Sequence, residues 1–245
     1  MAVQKKKSGQ CESPMPEQLT PGSLAALIDH TFLQPAGESD AVRRLCREAK
    51  KYRFACAMVN PAEVKLAARL LKGSGVRVGT VVGFPLGANT PEIKNYEAVM
   101  AVDDGALDVD FVIDVRRLKE AARDVAVCRE LVCELKVHNA VCKDAGFGVV
   151  TKLIIECCYL TDAEKRLACR LAKKAGFDFV KTSTGFGPGG ATVADVRLMR
   201  RAVGPHMGVK AAGGIRTLAD ASALLAAGAD RLGCSASVAI LKELS

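Results

Sequence analysis

The 245-residue sequence has no tryptophan, 4% aromatic residues and three histidines, His30, His138 and His206. So few aromatic rings argue against an extended platform for stacking nucleic-acid bases, and so few imidazoles argue against a zinc site. There is no run of about 18 apolar residues, and no charged N-terminal region leads into an apolar one, which argues against a membrane span or a signal peptide. The ten cysteines form no CxxC pair and show no metal-ligand spacing. Most lie within apolar runs, so they read as small core residues of a protein kept in a reducing cytoplasm rather than as a disulfide framework.

What is present is aliphatic. Hydrophobic residues make up 49% of the chain and charged residues 25%, ample material for one large α/β barrel or two smaller domains. Basic residues outnumber acidic ones 35 to 27, a net charge of +8, and part of the excess is the run Lys5 to Lys7. Residues 1–20, with this run and several Ser, Gly and Pro, are expected to be a disordered basic leader, and residues 21–245 the folded unit. A frayed basic end is the simpler reading of the leader than a tether to nucleic acid or membrane, and neither partner is expected.

From about Leu24 onward, short β-branched runs alternate with longer helical ones. The expected strands are "LIDHT" (27–31), "FACAMVN" (54–60), "VRVGTVVGF" (76–84), "VDFVID" (109–114), "VVTKLIIE" (149–156), "FDFVKTS" (177–183), "GVKAAGG" (208–214) and "ADRLGCS" (229–235). Helical segments between them start at Pro61, Pro91 and Thr161–Asp162 and close on glycines such as Gly73, Gly105, Gly176, Gly204 and Gly228. Eight β-then-α units predict a parallel sheet closed into a single (β/α)8 TIM barrel. The rival, an open doubly wound sheet, lacks a GxGxxG after its first strand.

Buried parallel strands are normally apolar on both faces, so the charges on these strands carry information. A period of two puts Asp110, Val112 and Asp114 on one face of the fourth strand, and Val150, Lys152, Ile154 and Glu156 on one face of the fifth. Of these, Asp110 and Lys152, together with Asp29, Lys181 and Lys210, predict a shared polar pocket at the mouth of the barrel. Two lysines suggest its chemistry. A free lysine, with a pKa of about 10.4, is neutral in only a few molecules per ten thousand at pH 7. Burial and a second ammonium favour the neutral amine, which can attack a carbonyl compound to form a Schiff base while a carboxylate moves protons. Three glycine-rich turns, "STGFGPGG" (183–190), "AAGGIRT" (211–217) and "LGCSAS" (232–237), follow the last three strands, where barrels commonly hold a phosphate.

The motifs "LIDHTFLQP", "VVGFPLGANTPEIKNYEA", "VDFVID", "KLIIE", "FVKTSTGFGPGGAT" and "VKAAGGIRT" resemble those of the class I deoxyribose-phosphate aldolases, from about Leu24 to Leu241. The resemblance implies reversible cleavage of 2-deoxy-D-ribose 5-phosphate to D-glyceraldehyde 3-phosphate and acetaldehyde, without metal or organic cofactor, in a homodimer or larger homo-oligomer. By motif, Lys181 matches the Schiff-base lysine, Lys210 the lysine that lowers its pKa, Asp110 the proton relay and Asp29 the carboxylate that handles substrate hydroxyls. Thr31, Lys152 and Thr184 resemble pocket-lining partners, and Gly185, Gly187, Gly213, Gly214, Arg216, Gly233 and Ser235 fall on the phosphate-holding loops.

The chain departs from the family's usual pattern at Asp114, where Asn is common, and at Met58 and Ala236, where Cys and Ser are common. It also ends at Ser245 without the tail tyrosine of some members. With Asp114 near Asp110, one of the two carboxyls is expected to hold a raised pKa. Two other readings stay open from the sequence: a different sugar-phosphate barrel enzyme, and a catalytically silent aldolase-like scaffold that binds a protein partner.

Overall fold

The computed structural model describes residues 19–37 and 40–244; most of the expected leader, residues 1–18, lies outside the described residues. Eight strands appear, each within a stretch expected from the sequence or one residue beyond it. They are β1 (Ile28–Phe32), β2 (Cys56–Val59), β3 (Arg77–Val82), β4 (Asp108–Val112), β5 (Val150–Ile154), β6 (Phe179–Lys181), β7 (Gly208–Ala212) and β8 (Arg231–Cys234). Every strand runs parallel to the next, and β8 returns to β1 through Ile28↔Leu232, Asp29↔Gly233 and His30↔Cys234. That last pairing closes the barrel and excludes the open sheet.

The helices on the outside are α1 (Pro21–Ala25), α2 (Ala41–Tyr52), α3 (Val64–Leu71), α4 (Pro91–Asp103), α5 (Val115–Ala121), α6 (Val125–Ala145), α7 (Asp162–Ala175), α8 (Val193–Val203), α9 (Leu218–Ala226) and α10 (Ser237–Lys242). Their limits have local causes. Thr161 and Glu164 cap the first turn of α7 reciprocally, and Gly176 ends that helix at φ 85°, a left-handed backbone that glycine adopts without a Cβ penalty. Aliphatic side chains from the outward strand faces pack under the helices, among them Ile28, Val109, Leu153, Val180, Val209 and Leu232. No helix among the described residues is long and apolar enough to cross a membrane.

The register decides what meets inside the barrel. Neighbours run Asp110↔Lys152, Lys152↔Phe179, Ile154↔Lys181, Lys181↔Lys210 and Lys210↔Arg231. Period two then directs Asp29, Asp108, Asp110, Lys152, Lys181, Lys210 and Arg231 to the interior. Beside them Leu33, Cys56, Met58 and Val81 form a small apolar cluster, so Met58, at the position where the resemblance leads one to expect cysteine, is interior packing.

Candidate active site

The site is layered. At its base the Asp108 carboxylate accepts from Lys152 and from Arg77. Above it, Asp110 receives Lys152 on Oδ1 at 3.1 Å, and Lys181 and Lys210 on Oδ2 at 3.0 and 2.8 Å. Asp29 completes the layer, with Lys210 at 2.5 Å and Lys152 at 3.9 Å on Oδ2 and Arg231 at 2.8 Å on Oδ1. All of these carboxylates and lysines are buried.

The compensation is unequal. Among the described residues Lys152 faces three carboxylates, Lys210 two and Lys181 one. Burial favours the neutral form of every lysine, so the least compensated loses its proton most easily. Accordingly, burial lowers the Lys181 pKa to about 8, with Lys210 and Lys152 pushing the same way against Asp110. For Lys210 and Lys152 burial acts in the same sense, but the neighbouring carboxylates outweigh it and both are raised. Burial would raise Asp110 and Asp29, yet Lys152 and Lys210, with Lys181 at Asp110 and Arg231 at Asp29, hold both below the usual carboxylate range.

For Asp110 this corrects the expectation of a raised carboxyl. Asp110 shifts the other way, and Asp114 turns out of the barrel to cap α5, its Oδ1 accepting the Arg117 N–H at 3.0 Å.

A cavity of about 310 Å³ opens above this cluster, with Lys181 on its wall. Of the residues expected at the site, Thr31, Thr184, Gly185, Gly213, Gly214, Arg216, Gly233 and Ser235 also line it. Lys152, Asp29, Asp110 and Lys210 lie beneath rather than on its wall, and Gly187 lines a separate cavity with Glu156 and Tyr159. The loops after β6 and β7 are pressed together: a Cβ at Gly190 would sit 2.3 Å from the Gly213 carbonyl oxygen, which accepts the Ala191 N–H at 2.9 Å. Glycine at 213, 214 and 233 leaves backbone uncovered beside the Arg216 cation, a combination suited to an anion. A buried amine poised near neutrality, facing such a cradle, can form an imine with a phosphorylated aldehyde.

Sequence reasoning missed Asp108, Arg231, Phe186 and a role for Glu156. Asp108 had a signal, since it continues the alternation of Asp110 one step back; Arg231 shares its strand face with Gly233. Phe186 lines the cavity and packs edge-on against Phe84 at 5.2 Å between centroids, and nothing in the local pattern marks it.

Comparison with known proteins gives a consistent picture. The description "DeoC/LacD family aldolase" matches residues 23–243. A deoxyribose-phosphate aldolase from Bacteroides thetaiotaomicron is 52% identical over 219 residues, 89% of each chain. One from Clostridium perfringens is 52% identical over 217 residues, covering 89% of this chain and 93% of its own. Among solved structures, the tetrameric deoxyribose phosphate aldolase from Aeropyrum pernix superposes with a TM-score of 0.83 at 35% identity, over 91% of this chain and 92% of that one.

Proposed function

Since this chain belongs to the DeoC/LacD family of aldolases, we infer that it is a deoxyribose-phosphate aldolase acting through an imine on Lys181. The observation that supports the site assignment is the contrast between register neighbours: Lys210 pairs with both Asp29 and Asp110, Lys181 with Asp110 alone among the described residues, and the Lys181 pKa is lowered while that of Lys210 is raised.

In the proposed reaction the neutral Lys181 Nζ adds to C1 of open-chain 2-deoxy-D-ribose 5-phosphate, and loss of water leaves the imine. The C3 hydroxyl gives up its proton and the C2–C3 bond breaks. D-Glyceraldehyde 3-phosphate departs, and the bonding electrons remain on C1–C2 as an enamine. Protonation at C2 and hydrolysis then release acetaldehyde and the amine. Asp110, 3.0 Å from Lys181, serves as proton relay together with water. Asp29 acts from beneath on the substrate hydroxyls, which Thr31 and Thr184 bind, and Lys210 keeps Lys181 deprotonable. Gly185, Gly213, Gly214, Arg216, Gly233 and Ser235 hold the phosphate, Gly187 shapes the adjoining turn, and Lys152 orders the carboxylates from below.

Assembly into a homodimer or larger homo-oligomer is supported by an exposed apolar row on α4, Ile93, Tyr96 and Met100; sedimentation velocity tests it. A reducing cytoplasm suits the unpaired cysteines of the described residues.

The decisive experiment incubates the protein with acetaldehyde and borohydride, digests it and maps ethylated lysine. Modification at Lys181 is expected. A folded protein that stays unmodified overturns the imine mechanism, and modification confined to another lysine overturns the assignment.

A further inference from the structure

The residue that ends β5 has a geometry its sequence context does not explain. Glu156 is buried, and its backbone lies at φ 43°, ψ 71°, in the left-handed region. Non-glycine residues are uncommon there, and the preference is for Asn and Asp rather than Glu. The residues on either side lock that turn against the strand bearing Lys181: the Ile155 N–H donates to the Lys181 carbonyl at 3.0 Å and the Cys157 N–H to the Thr182 carbonyl at 2.8 Å. Among the described residues no cation forms an ion pair with the Glu156 carboxylate. Its partners are the Thr184 hydroxyl, the Thr184 N–H at 3.4 Å and the Cys158 thiol at 3.5 Å. Holding an unpaired carboxylate in a buried, strained position is costly, and the return on that cost is concentrated at Thr184.

The hydrogen-bond inventory of Thr184 then closes on itself. A hydroxyl has one proton to donate and two lone pairs. That proton goes to Glu156, whose Oε2 accepts from Thr184 Oγ1. The Phe186 N–H occupies one lone pair, at 3.0 Å from Oγ1. What Thr184 can still offer, at the wall it forms between the cavity beside Lys181 and the one lined by Glu156, is a single acceptor lone pair.

We propose that Glu156 is a positioning residue that takes the Thr184 hydroxyl proton and so fixes Thr184 as an acceptor for a hydroxyl of the substrate beside Lys181. This rests on the aldolase reading and adds to it a polarity for one contact: the substrate hydroxyl donates and Thr184 cannot. Without Glu156 the Thr184 hydroxyl is free to rotate, and the contact loses its preset direction.

The test is a double-mutant cycle with 2-deoxy-D-ribose 5-phosphate as substrate. Glu156→Leu is expected to raise KM about 10-fold with kcat within about 3-fold, because a binding contact shared by ground and transition states is weakened. Thr184→Val is expected to raise KM similarly, and the double variant to be no worse than Thr184→Val alone. Glu156→Gln, which keeps an amide oxygen as acceptor, restores most of the affinity. Should Glu156→Leu fail to fold, Glu156→Asn takes its place, since it suits the left-handed backbone and withdraws the side chain from Thr184. Trapping with acetaldehyde and borohydride separates this inference from its premise, because acetaldehyde has no hydroxyl. If wild-type Lys181 is not trapped, the aldolase reading fails. If wild type is trapped and the two substitutions multiply in KM, or the Glu156 variant keeps wild-type KM, or its trapping rate alone collapses, the positioning role is overturned.

Discussion

Lys210→Ala gives the sharpest test of how the amine is tuned. Lys181 and Lys210 lie at 3.0 and 2.8 Å from the same Asp110 oxygen, so their ammonium groups are within about 6 Å of each other. At an effective dielectric of about 20, two unit charges at that distance repel by about 2.8 kcal/mol, roughly two pKa units. Removing Lys210 abolishes that repulsion and also leaves Asp110 more fully to Lys181. Both changes stabilise the Lys181 ammonium, so its pKa should rise from about 8 toward about 10. The neutral fraction at pH 7 then falls from about a tenth to about a thousandth. The variant should form the imine about 100-fold more slowly at pH 7 and gain roughly tenfold per pH unit until it reaches a plateau near pH 10. Folding should survive, because Asp29 retains Arg231 and Lys152, and Asp110 retains Lys152 and Lys181. The assay is the rate of borohydride trapping by acetaldehyde from pH 6 to pH 10, with circular dichroism at each pH. A variant that stays folded and active with its rise still near pH 8 would refute the repulsion argument and leave burial and Lys152 to account for the shift.

Other perturbations separate the roles of neighbouring parts. Lys152→Met removes the cation shared by Asp29, Asp108 and Asp110; it should cost about 3–5 kcal/mol in urea unfolding, and an unchanged midpoint would contradict the base-layer role. Gly190→Ala drives a methyl against the Gly213 carbonyl oxygen; KM should rise at least several-fold for the 5-phosphate and much less for unphosphorylated 2-deoxyribose, and equal losses would place the damage away from the phosphate. Thr161→Ala deletes the cap of α7; it should cost about 1 kcal/mol in urea unfolding with kcat/KM unchanged.

Much of the barrel was legible because its signals are local. Period two, period 3.6 and punctuation by glycine and proline each need only a short window, and all eight strands fell where that pattern put them. The charged interior was legible for a different reason: a parallel strand is covered on both faces, so Asp110, Lys152, Lys181 and Lys210 had to be compensated somewhere. Asp114 shows the limit of that logic. Its alternation with Asp110 is real, but the strand ends at Val112 and the carboxylate caps the next helix instead.

The part of the site that the pattern does not disclose is the part that depends on counting neighbours across the barrel. Two lysines in equivalent positions on adjacent strands look alike in sequence, and only closure of β8 onto β1 brings Asp29 to Lys210. With Asp110, that additional carboxylate raises Lys210, whereas Lys181 among the described residues pairs with Asp110 alone, so the proposal of Lys181 as nucleophile draws on barrel topology as well as on either lysine's local context. Glu156 escapes for a related reason. Periodicity assigns it an inward face, but its left-handed backbone and its grip on Thr184 arise from packing between the loops after β5 and β6, a contact that no single stretch of the chain encodes.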